Sequence, residues 1–319
     1  MCYSAIVWQH YGDYVRAFGA DINITEFFRL YVDRKDTPTI KIPKAMDDAF
    51  RKPRNDEEKL ITQLIEQYNS ERASELEQEL FKQRRRLADA ERSLQTRTTK
   101  KAENDQRIAT DKVGRIMRRL DDLRRSVPED RDARIFPGMY APVMISENGR
   151  RVVKPMRYPC RPAGKPALYD RKYPGTYNAR RDNLEGFWKG QFGHTHGVMV
   201  VETFFENVAR HDLEHRELAP GEKLENVVLQ FTPNPPQAML VACLWSRWTR
   251  DGEPDLLSFA AITDDPPAEI AAAGHDRVIV QIKPENLDAW LNPHASDLRG
   301  LHAILEARQK SFYEHRRAA

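Results

Sequence analysis

The stretch Val200-Val201-Glu202-Thr203-Phe204-Phe205-Glu206 (VVETFFE) predicts a β-strand and a β-rich fold for this 319-residue chain. β-Branched and aromatic residues dominate the stretch, and they favour a pleated, partly buried surface. Alternate side chains of a strand lie on one face, so Glu206 shares a face with Phe204 and is predicted to point inward. The alternative is that Glu206 is a salt-bridged carboxylate on the surface.

Further apolar runs between Pro and Gly residues predict that residues 136–319 form a compact β-rich domain. Besides 199–205, the predicted strands are 226–231, 239–245, 256–262 and 277–282. Helical spacing of apolar residues predicts helices over 284–291 and 296–317. At the N-terminal end, we expect a short strand over 1–8 and a short helix over 25–31.

Residues 51–135 differ in character, because nearly half of them are charged. Apolar and small residues recur there at steps of three and four, which places them along one stripe of a helix. The two stripes are Ala73, Leu76, Leu80, Gln83, Leu87, Ala90 and Leu94, and then Val113, Ile116, Leu120, Leu123 and Val127. With the polar stretch RTTKKAENDQ from Arg97 as a turn, they predict a coiled-coil-like antiparallel hairpin.

The fold class expected from these patterns is α+β. We expect a curved antiparallel or mixed β core with flanking helices, formed by residues 1–50 and 136–319, and an inserted helical hairpin over 51–135. One interpretation makes this hairpin an arm that contacts DNA or a protein partner. The other makes it a solvated insertion whose charges serve solubility, since acidic residues interleave with basic ones. Candidate contact residues are Arg84, Arg85, Arg86, Lys100, Lys101, Arg118 and Arg119.

Composition indicates a soluble protein of the cytoplasm. The hydrophobic fraction of 40% allows a core, and the net charge of +3 is too small to prove a polyanion partner. Three cysteines form no paired framework, which fits a reducing compartment. No apolar run approaches the roughly 18 residues of a membrane span, and we expect no signal peptide.

Cys2 follows the initiator methionine, and its chemistry depends on whether Met1 is removed. Removal leaves an α-amine, with a pKa of about 7.7–8.0, beside a thiol with a pKa of about 8.5. The amine can condense with an aldehyde to an imine, and the thiolate can then close a thiazolidine ring. An internal cysteine cannot do this, because its nitrogen lies in a peptide bond. The alternative is a small apolar residue at the chain start.

Several short motifs follow Cys2 in a fixed order. They are Tyr177-Asn178-Ala179-Arg180, the strand ending in Phe204-Phe205-Glu206, Ala242-Cys243-Leu244-Trp245, and Gly274-His275-Asp276-Arg277. Met156-Arg157-Tyr158 and the segment from Pro137 to Pro142 precede them. Together with Cys2 they resemble the SRAP family of SOS response-associated peptidases, also called abasic-site processing proteins. This resemblance covers about residues 1–30 and 136–293 and leaves the hairpin outside.

The resemblance implies a catalytic set of Cys2, Asn178, Glu206 and His275, with no cofactor. Glu206 would accept a proton from the α-amine, His275 would act as a proton donor, and Asn178 would orient the thiol or the sugar. Arg180 and Arg277 would bind phosphates through their planar guanidinium groups. The resemblance also points to Arg157 and Tyr158 along the DNA path, and Tyr158 or Trp188 could stack on bases.

The sequence also departs from the family pattern. Tyr3 and Ser4 stand where family members commonly have glycine and arginine, Tyr158 replaces a tryptophan, and Asn207 follows Glu206 where tryptophan is common. A metal site is not expected. His194, His196, His211 and His215 lack an HExxH or paired-cysteine pattern, and Arg210 and Arg216 lie near them.

Three functions follow from these observations. The first is a repair protein that crosslinks Cys2 to abasic sites in single-stranded DNA, removes its own Met1 and can act as a lyase. The second is a peptidase or amidase that uses Cys2 as an N-terminal nucleophile. The third is a non-enzymatic protein that binds DNA or a partner through the hairpin. For the first function we expect a monomeric, nucleoid-associated protein without membrane contact.

Overall fold

The computed structural model describes residues 4–318. Within them, twelve strands form one mixed sheet accompanied by helices, which confirms the α+β prediction. The strands are β1 (Ser4–Val7), β2 (Asp21–Ile22), β3 (Arg134–Ile135), β4 (Tyr140–Glu147), β5 (Arg150–Arg157), β6 (Asn178–Arg180), β7 (His196–Ala209), β8 (Asn226–Asn234), β9 (Met239–Arg250), β10 (Glu253–Asp264), β11 (Val278–Ile279) and β12 (Phe312–Arg317). The helices are α1 (Tyr11–Phe18), α2 (Ile24–Asp36), α3 (Lys44–Asp48), α4 (Asp56–Thr96), α5 (Lys100–Arg124), α6 (Tyr169–Lys172), α7 (Arg210–Leu213), α8 (Ala268–Ala272), α9 (Leu287–Leu291) and α10 (Leu298–Glu306).

The strand β7 organises the sheet, because it pairs with four other strands along its 14 residues. Its first half pairs antiparallel with β9 and contacts β4, and its second half pairs antiparallel with β8 and β1. The VVETFFE stretch lies in this strand. Consequently Phe205 and Glu206 lie where β1 approaches from one side and β8 from the other.

The apolar core lies against this strand. Phe204 of β7 stacks on Phe231 of β8 with ring centroids 5.2 Å apart, and Tyr313 of β12 meets Phe204 edge-on at 5.3 Å. All three rings are buried. Such aromatic pairs add to the free energy gained by burying their apolar area.

The strands β4 and β5 form a β-hairpin, and neither strand was predicted from the sequence. Its two strands pair from Tyr140–Arg157 to Glu147–Arg150, and Asn148-Gly149 forms the turn. Both turn residues have positive φ angles, 51° for Asn148 and 74° for Gly149. An Asn-Gly pair is the usual sequence for a two-residue hairpin turn, because these residues tolerate the left-handed conformation.

Two predicted elements need correction. The predicted helix over 296–317 ends at Glu306, and Phe312–Arg317 is a strand that pairs with β8. Pairing with β8 and burial of Tyr313 prevail over local helical spacing there. The predicted strand over 277–282 is regular only at Val278–Ile279, and Gln281 adds a single bridge to Val241.

The chain divides into two compact units, of which Pro53–Glu129 is one. In this unit α4 and α5 pack antiparallel. Two ion pairs between the helices show this direction, Glu77 with Arg124 and Arg86 with Asp105. We call the unit the arm. Its helices begin at side-chain caps, since Asn55 accepts from the Glu58 N–H and Thr99 accepts from the Ala102 N–H.

The predicted stripes form only part of the contact between these helices. Leu76, Ile116 and Leu120 are buried together, whereas Val127 is 69% exposed. The turn is also shorter than predicted, because the cap at Thr99 starts α5 at Lys100. Small buried residues, Ala90 and Ala102, lie near the turn. No helix in residues 4–318 has the length and apolarity needed to cross a membrane.

Candidate functional site

Glu206 and His275, which lie far apart in the sequence, form a buried pair. Glu206 is 0% exposed and His275 is 7% exposed. The imidazole Nε2 lies 3.2 Å from Glu206 Oε2. The alternative of a surface carboxylate at Glu206 is therefore wrong. Burial strengthens the electrostatic interaction between a carboxylate and an imidazole. The energy of the pair therefore depends strongly on which group carries the proton.

The hydrogen bonding of His275 defines where its protons lie. Its Nδ1 is 2.9 Å from the carbonyl oxygen of Arg277, which only accepts, and this contact favours the tautomer with a proton on Nδ1. The Arg277 N–H is more distant from Nδ1, at 3.4 Å. Nε2 faces a carboxylate oxygen, and a hydrogen bond there needs a further proton on either partner. The pair thus places an imidazole nitrogen and a carboxylate oxygen 3.2 Å apart in a buried position.

Gly274 allows the chain to bring His275 to this position. It has a φ of 87°, and a Cβ at residue 274 would lie 2.9 Å from both Val208 Cγ1 and Asp212 Cβ. Only glycine fits such close backbone approach without strain. His275 follows directly, and its N–H donates to the carbonyl of Ile270, which lies within α8. The loop is therefore packed against the strand that carries Glu206.

The start of β1 lies beside Glu206 along the sheet. Ser4 pairs with Phe205 and Ala5 with Phe204. Cys2, the predicted nucleophile, lies outside the described residues, as does Tyr3. The described residue closest to it in sequence, Ser4, is 1% exposed.

Arg134, at the start of β3, fixes Ser4. Its Nε and Nη2 donate to Ser4 Oγ at 3.0 and 2.8 Å. The guanidinium also lies over the Phe205 ring, 3.5 Å from the ring centroid. No role for Arg134 is apparent from the sequence, because its partners lie far away in the chain and no local motif marks it. The register of β1, β3 and β7 reveals it.

Asn178 begins β6, which runs parallel to β10. Its side-chain oxygen accepts a hydrogen bond from the Thr263 hydroxyl of β10. The same end of β10 pairs with β11, with Thr263 opposite Ile279. This brings Asn178 to the edge of the sheet that also receives the chain following His275 and Arg277.

The two arginines predicted to bind phosphate have carboxylate neighbours. Arg277 binds Asp276 through Nε and Nη2, at 2.9 and 2.6 Å. This hydrogen bond holds the pKa of Asp276 well below its usual range. Arg180 binds Asp265 at 3.1 Å, with an Asp265 side chain that is 82% exposed. Exposed pairs of this type exchange partners at small cost.

Arg157 and Tyr158 are packed differently. Arg157 binds Asp170 at 2.8 Å, and Arg161 binds the same carboxylate at 2.5 Å. Burial raises the pKa of Asp170, but the bonds to the two arginines outweigh it and hold the pKa below its ordinary value. Tyr158 is 3% exposed between Tyr177 and Phe259. Base stacking by Tyr158, or by the equally buried Trp188, stays a prediction that this packing does not favour.

The remaining candidate residues are structural. Burial lowers the pKa of His196 to about 3, and its ring accepts from the Gly193 N–H while its other nitrogen contacts the Trp290 carbonyl. Burial also raises the pKa of the Cys160 and Cys243 thiols, that of Cys160 to about 12. Among residues 4–318, no three His, Cys, Asp or Glu side chains gather as a metal site.

The sequence matches one known protein family over most of its length. Residues 92–317 match the family described as SOS response associated peptidase (SRAP), which is more than half of the sequence. The chain belongs to the SRAP family. The SRAP match begins within α4 and spans α5, so the family extends further into the arm than the resemblance above suggested. It includes Asn178, Glu206 and His275 but not residue 2. SRAP membership supports a DNA-damage, SOS-associated function at the family level.

Solved structures are similar to this SRAP protein over part of its length. One from Bordetella bronchiseptica is 16% identical, with a TM-score of 0.47, over 61% of this chain and 89% of its own. One from Bacteroides thetaiotaomicron is 14% identical, with a TM-score of 0.46, over 58% of this chain and 77% of its own. A phage-related protein from Bordetella bronchiseptica is 20% identical, with a TM-score of 0.43, over 58% and 80%. No curated protein matches the sequence.

Proposed function

We propose that this protein forms a covalent crosslink between Cys2 and the ring-opened sugar of an abasic site in single-stranded DNA. The buried contact between Glu206 and His275 is the observation that carries this proposal. A carboxylate and an imidazole held together away from water can move the protons that imine chemistry requires. SRAP membership supplies the independent argument for a damaged-DNA substrate.

The register of β1 supports Cys2 as the nucleophile. Ser4 pairs with Phe205, the residue before Glu206. Two residues of extended chain span at most about 7 Å, so Cys2 is covalently confined to the neighbourhood of Ser4. Residues 1–50 and 136–319 would form the catalytic domain, with residues 51–135 as the inserted arm.

The chemistry conserves atoms and needs no oxidant or cofactor. Hydrolysis of the Met1–Cys2 peptide bond consumes one water and releases methionine. The free α-amine adds to the aldehyde carbon of the opened sugar, and loss of one water gives the imine. The Cys2 sulfur then bonds to the imine carbon, and its proton ends on the nitrogen. The product is a thiazolidine that links protein to DNA.

The described residues have separate roles in these steps. Glu206 accepts the proton that the α-amine loses on attack. His275 donates a proton to the hydroxyl group that leaves as water, and the Arg277 carbonyl fixes the orientation of its ring. Asn178, which Thr263 orients, would position the sugar or the thiol. If the imine persists, its acidified neighbouring carbon permits cleavage of the 3′ C–O bond, which is lyase activity.

Arg180 and Arg277 would bind phosphates by exchanging their exposed aspartate partners for the DNA backbone. Such contacts position a strand without reading its bases, so we expect little sequence preference. Arg157 and Tyr158 would lie beneath the path of the DNA strand and support it. On this proposal the protein acts as a monomer with the DNA of the cytoplasmic nucleoid.

A single-stranded oligonucleotide with one abasic site tests the proposal. We expect a heat-stable adduct whose mass equals protein without Met1 plus DNA minus one water. Cys2→Ala should form no adduct. An undamaged oligonucleotide and one whose abasic aldehyde has been reduced to an alcohol should also form none, while the reduced one still binds.

Other outcomes point to other functions. Turnover of peptides without a DNA adduct would support an N-terminal-nucleophile peptidase or amidase. Salt-sensitive DNA binding with neither adduct nor peptide turnover would support a non-enzymatic binding protein. An adduct that persists in Cys2→Ala would contradict the role of Cys2 directly.

A further inference from the structure

Charge is distributed unevenly along the arm. Residues 82–107, which include the turn between α4 and α5, carry nine Lys or Arg and four Asp or Glu. The rest of the arm, residues 53–81 and 108–129, carries nine Lys or Arg and twelve Asp or Glu. We call residues 82–107 the arm tip. The solubility interpretation does not predict this segregation, because solubility needs no separation of the two signs.

Most cations of the arm tip lack acidic partners within the arm. Arg86 binds Asp105 and Arg92 binds Asp89. Seven others form no ion pair in the described part of the chain, and all are exposed: Lys82, Arg84, Arg85, Arg97, Lys100, Lys101 and Arg107. The arm tip carries positive charge that its own carboxylates do not neutralise.

The beginning of α5 adds to this positive charge. Lys100 and Lys101 occupy the first turn of a 25-residue helix. The unpaired N–H groups there favour negative neighbours, so two lysines are unfavourable for the isolated helix. A cleft of about 520 Å³ lies beside them between the two helices, and its charged lining consists of four cations, Lys82, Arg85, Arg86 and Lys101, and two carboxylates, Asp89 and Asp105. An anion in this cleft would relieve the repulsion between these cations.

Phe81 adds an aromatic surface next to these cations. Its side chain is 70% exposed on α4. Arg84 and Arg85 follow at three and four residues, which places them on the same helical face. Positive charge beside an exposed ring is the combination with which proteins bind single-stranded nucleic acid, through phosphate contacts and base stacking.

We propose that the arm tip is a second nucleic-acid-binding site, which holds the phosphodiester backbone of single-stranded DNA without requiring an abasic site. An anionic membrane is the less favoured ligand. Insertion of a helix into a membrane surface requires a broad apolar face. In the arm the apolar residues Leu76, Ile116 and Leu120 are buried between the helices. Besides Phe81, the exposed large apolar side chains of the described arm are Leu60, Met117 and Val127, and Leu60 and Val127 lie at the end opposite the turn. The exposed Phe81 ring therefore suits a base better than a lipid layer.

Matched charge variants of the full chain test this site. The tip variant is Arg84→Gln, Arg85→Gln and Lys101→Gln, and the control variant is Lys59→Gln, Arg72→Gln and Arg115→Gln. All six side chains are exposed and each variant loses three positive charges. Binding to an undamaged single-stranded oligonucleotide is measured by fluorescence anisotropy over a range of salt concentrations, with circular dichroism to verify folding.

We expect the tip variant to bind about 10- to 100-fold more weakly at about 0.1 M salt. The slope of log affinity against log salt should become shallower by about 2, since each lost phosphate contact removes about 0.7 for a single strand. The control variant should bind like the wild type. Phe81→Ala should weaken binding to the single strand more than to a duplex, because a duplex offers no unstacked base.

Several results would overturn the proposal. Equal weakening in both variants would show that binding follows net charge alone. Unchanged DNA binding in the tip variant, with loss of binding to phosphatidylserine vesicles, would assign the arm tip to membranes. Because the oligonucleotide is undamaged, failure of the crosslinking reaction would leave this result unaffected. Crosslinking measured at saturating abasic DNA should be the same in the tip variant and the wild type.

Discussion

At the level of single residues, the site depends on Glu206, which places a carboxyl group in the apolar core. Glu206 follows two core phenylalanines in β7 and has no exposed surface. Burying a carboxylate is unfavourable unless a partner compensates. His275 provides that compensation, at the cost of a glycine conformation in the preceding residue. A buried carboxyl group whose placement is unfavourable for folding is typical of catalytic sites.

We predict that Glu206→Gln and His275→Gln slow adduct formation by about 100-fold while affinity for the abasic oligonucleotide stays within about threefold of the wild type. Loss of general acid–base catalysis has effects of this size. Glutamine is isosteric with glutamate at residue 206, and at residue 275 its amide N–H₂ can still donate to the carboxylate. The rate is measured under single-turnover conditions at saturating DNA, which separates chemistry from binding.

Glu202→Gln is the matched control, because Glu202 lies in the same strand and is exposed beside Trp8. It should crosslink at the rate of the wild type. If Glu206→Gln and His275→Gln instead lose binding and crosslinking equally, the pair is structural, and the proposed proton transfers must be abandoned.

His196 makes a separate prediction about pH and stability. Burial lowers its pKa from an ordinary 6.5 to about 3 in the folded protein. Between these values the unfolded chain binds a proton that the folded chain does not, so stability is complete above pH 6.5 and falls as the pH falls. We expect His196 to contribute a loss of about 2 kcal/mol between pH 7 and pH 5.

Urea unfolding at several pH values measures this contribution. In His196→Gln the free energy of unfolding should depend less steeply on pH in this window, by up to about 1.4 kcal/mol per pH unit. An unchanged pH dependence would show that the imidazole is protonated in the folded protein as readily as in the unfolded chain.

The site was more predictable from sequence than its supporting contacts. The period of a strand placed Glu206 on the face of the buried Phe204. It could not show how far burial extends along that face, because Glu202, two residues before Phe204, is exposed. The contact with His275 could be expected only from the family resemblance. Arg134 could not be found at all, since its link to Ser4 arises from the pairing of strands far apart in the chain.

At the level of elements, β1 is held by more than its backbone pairing. It lies between β3 and β7, and Arg134 bridges all three strands by binding Ser4 and covering Phe205. A hydrogen bond from a charged donor to a buried hydroxyl contributes about 1.5–3 kcal/mol. Ser4 is two residues from Cys2, the proposed nucleophile, so the proposed reaction should be sensitive to this bridge.

A double-mutant cycle tests this bridge. We predict that Ser4→Ala and Arg134→Met each slow adduct formation about tenfold, and that the double variant is little worse than Arg134→Met. The coupling in unfolding free energy should be about 1–2 kcal/mol. Simple additivity of the two changes, in rate and in stability, would mean that Arg134 does not act through Ser4.

The elements that sequence patterns missed are those that depend on distant partners. The strand β12 follows a helix-like pattern, yet it pairs with β8 and buries Tyr313 against Phe204. By contrast, α4 and α5 have strong local periodicity and side-chain caps, and both helices were predicted. Local signals are sufficient for an element whose contacts lie close in sequence, and insufficient for an edge strand.

At the level of the whole molecule, our two proposals assign two kinds of positive charge to different steps. Arg180 and Arg277 lie near the reacting residues and have exposed carboxylate partners to exchange. The arm tip has cations in excess of its carboxylates. Two weak sites on one chain bind one strand more tightly than either does alone, provided the strand spans both. Affinity and chemistry should therefore be separable.

Shortening the arm tests this separation. We predict that replacing residues 82–119 by a four-residue glycine-rich turn between Phe81 and Leu120 leaves the crosslinking rate at saturating DNA within about twofold of the wild type. Glu77 and Arg124 would still pair across the shortened arm, and Leu76 would still meet Leu120. Because the arm-tip cations are absent, half-maximal crosslinking should require about tenfold more DNA or more. A shortened protein that keeps its folded circular dichroism spectrum but forms no adduct at any DNA concentration would make the arm part of the reacting site.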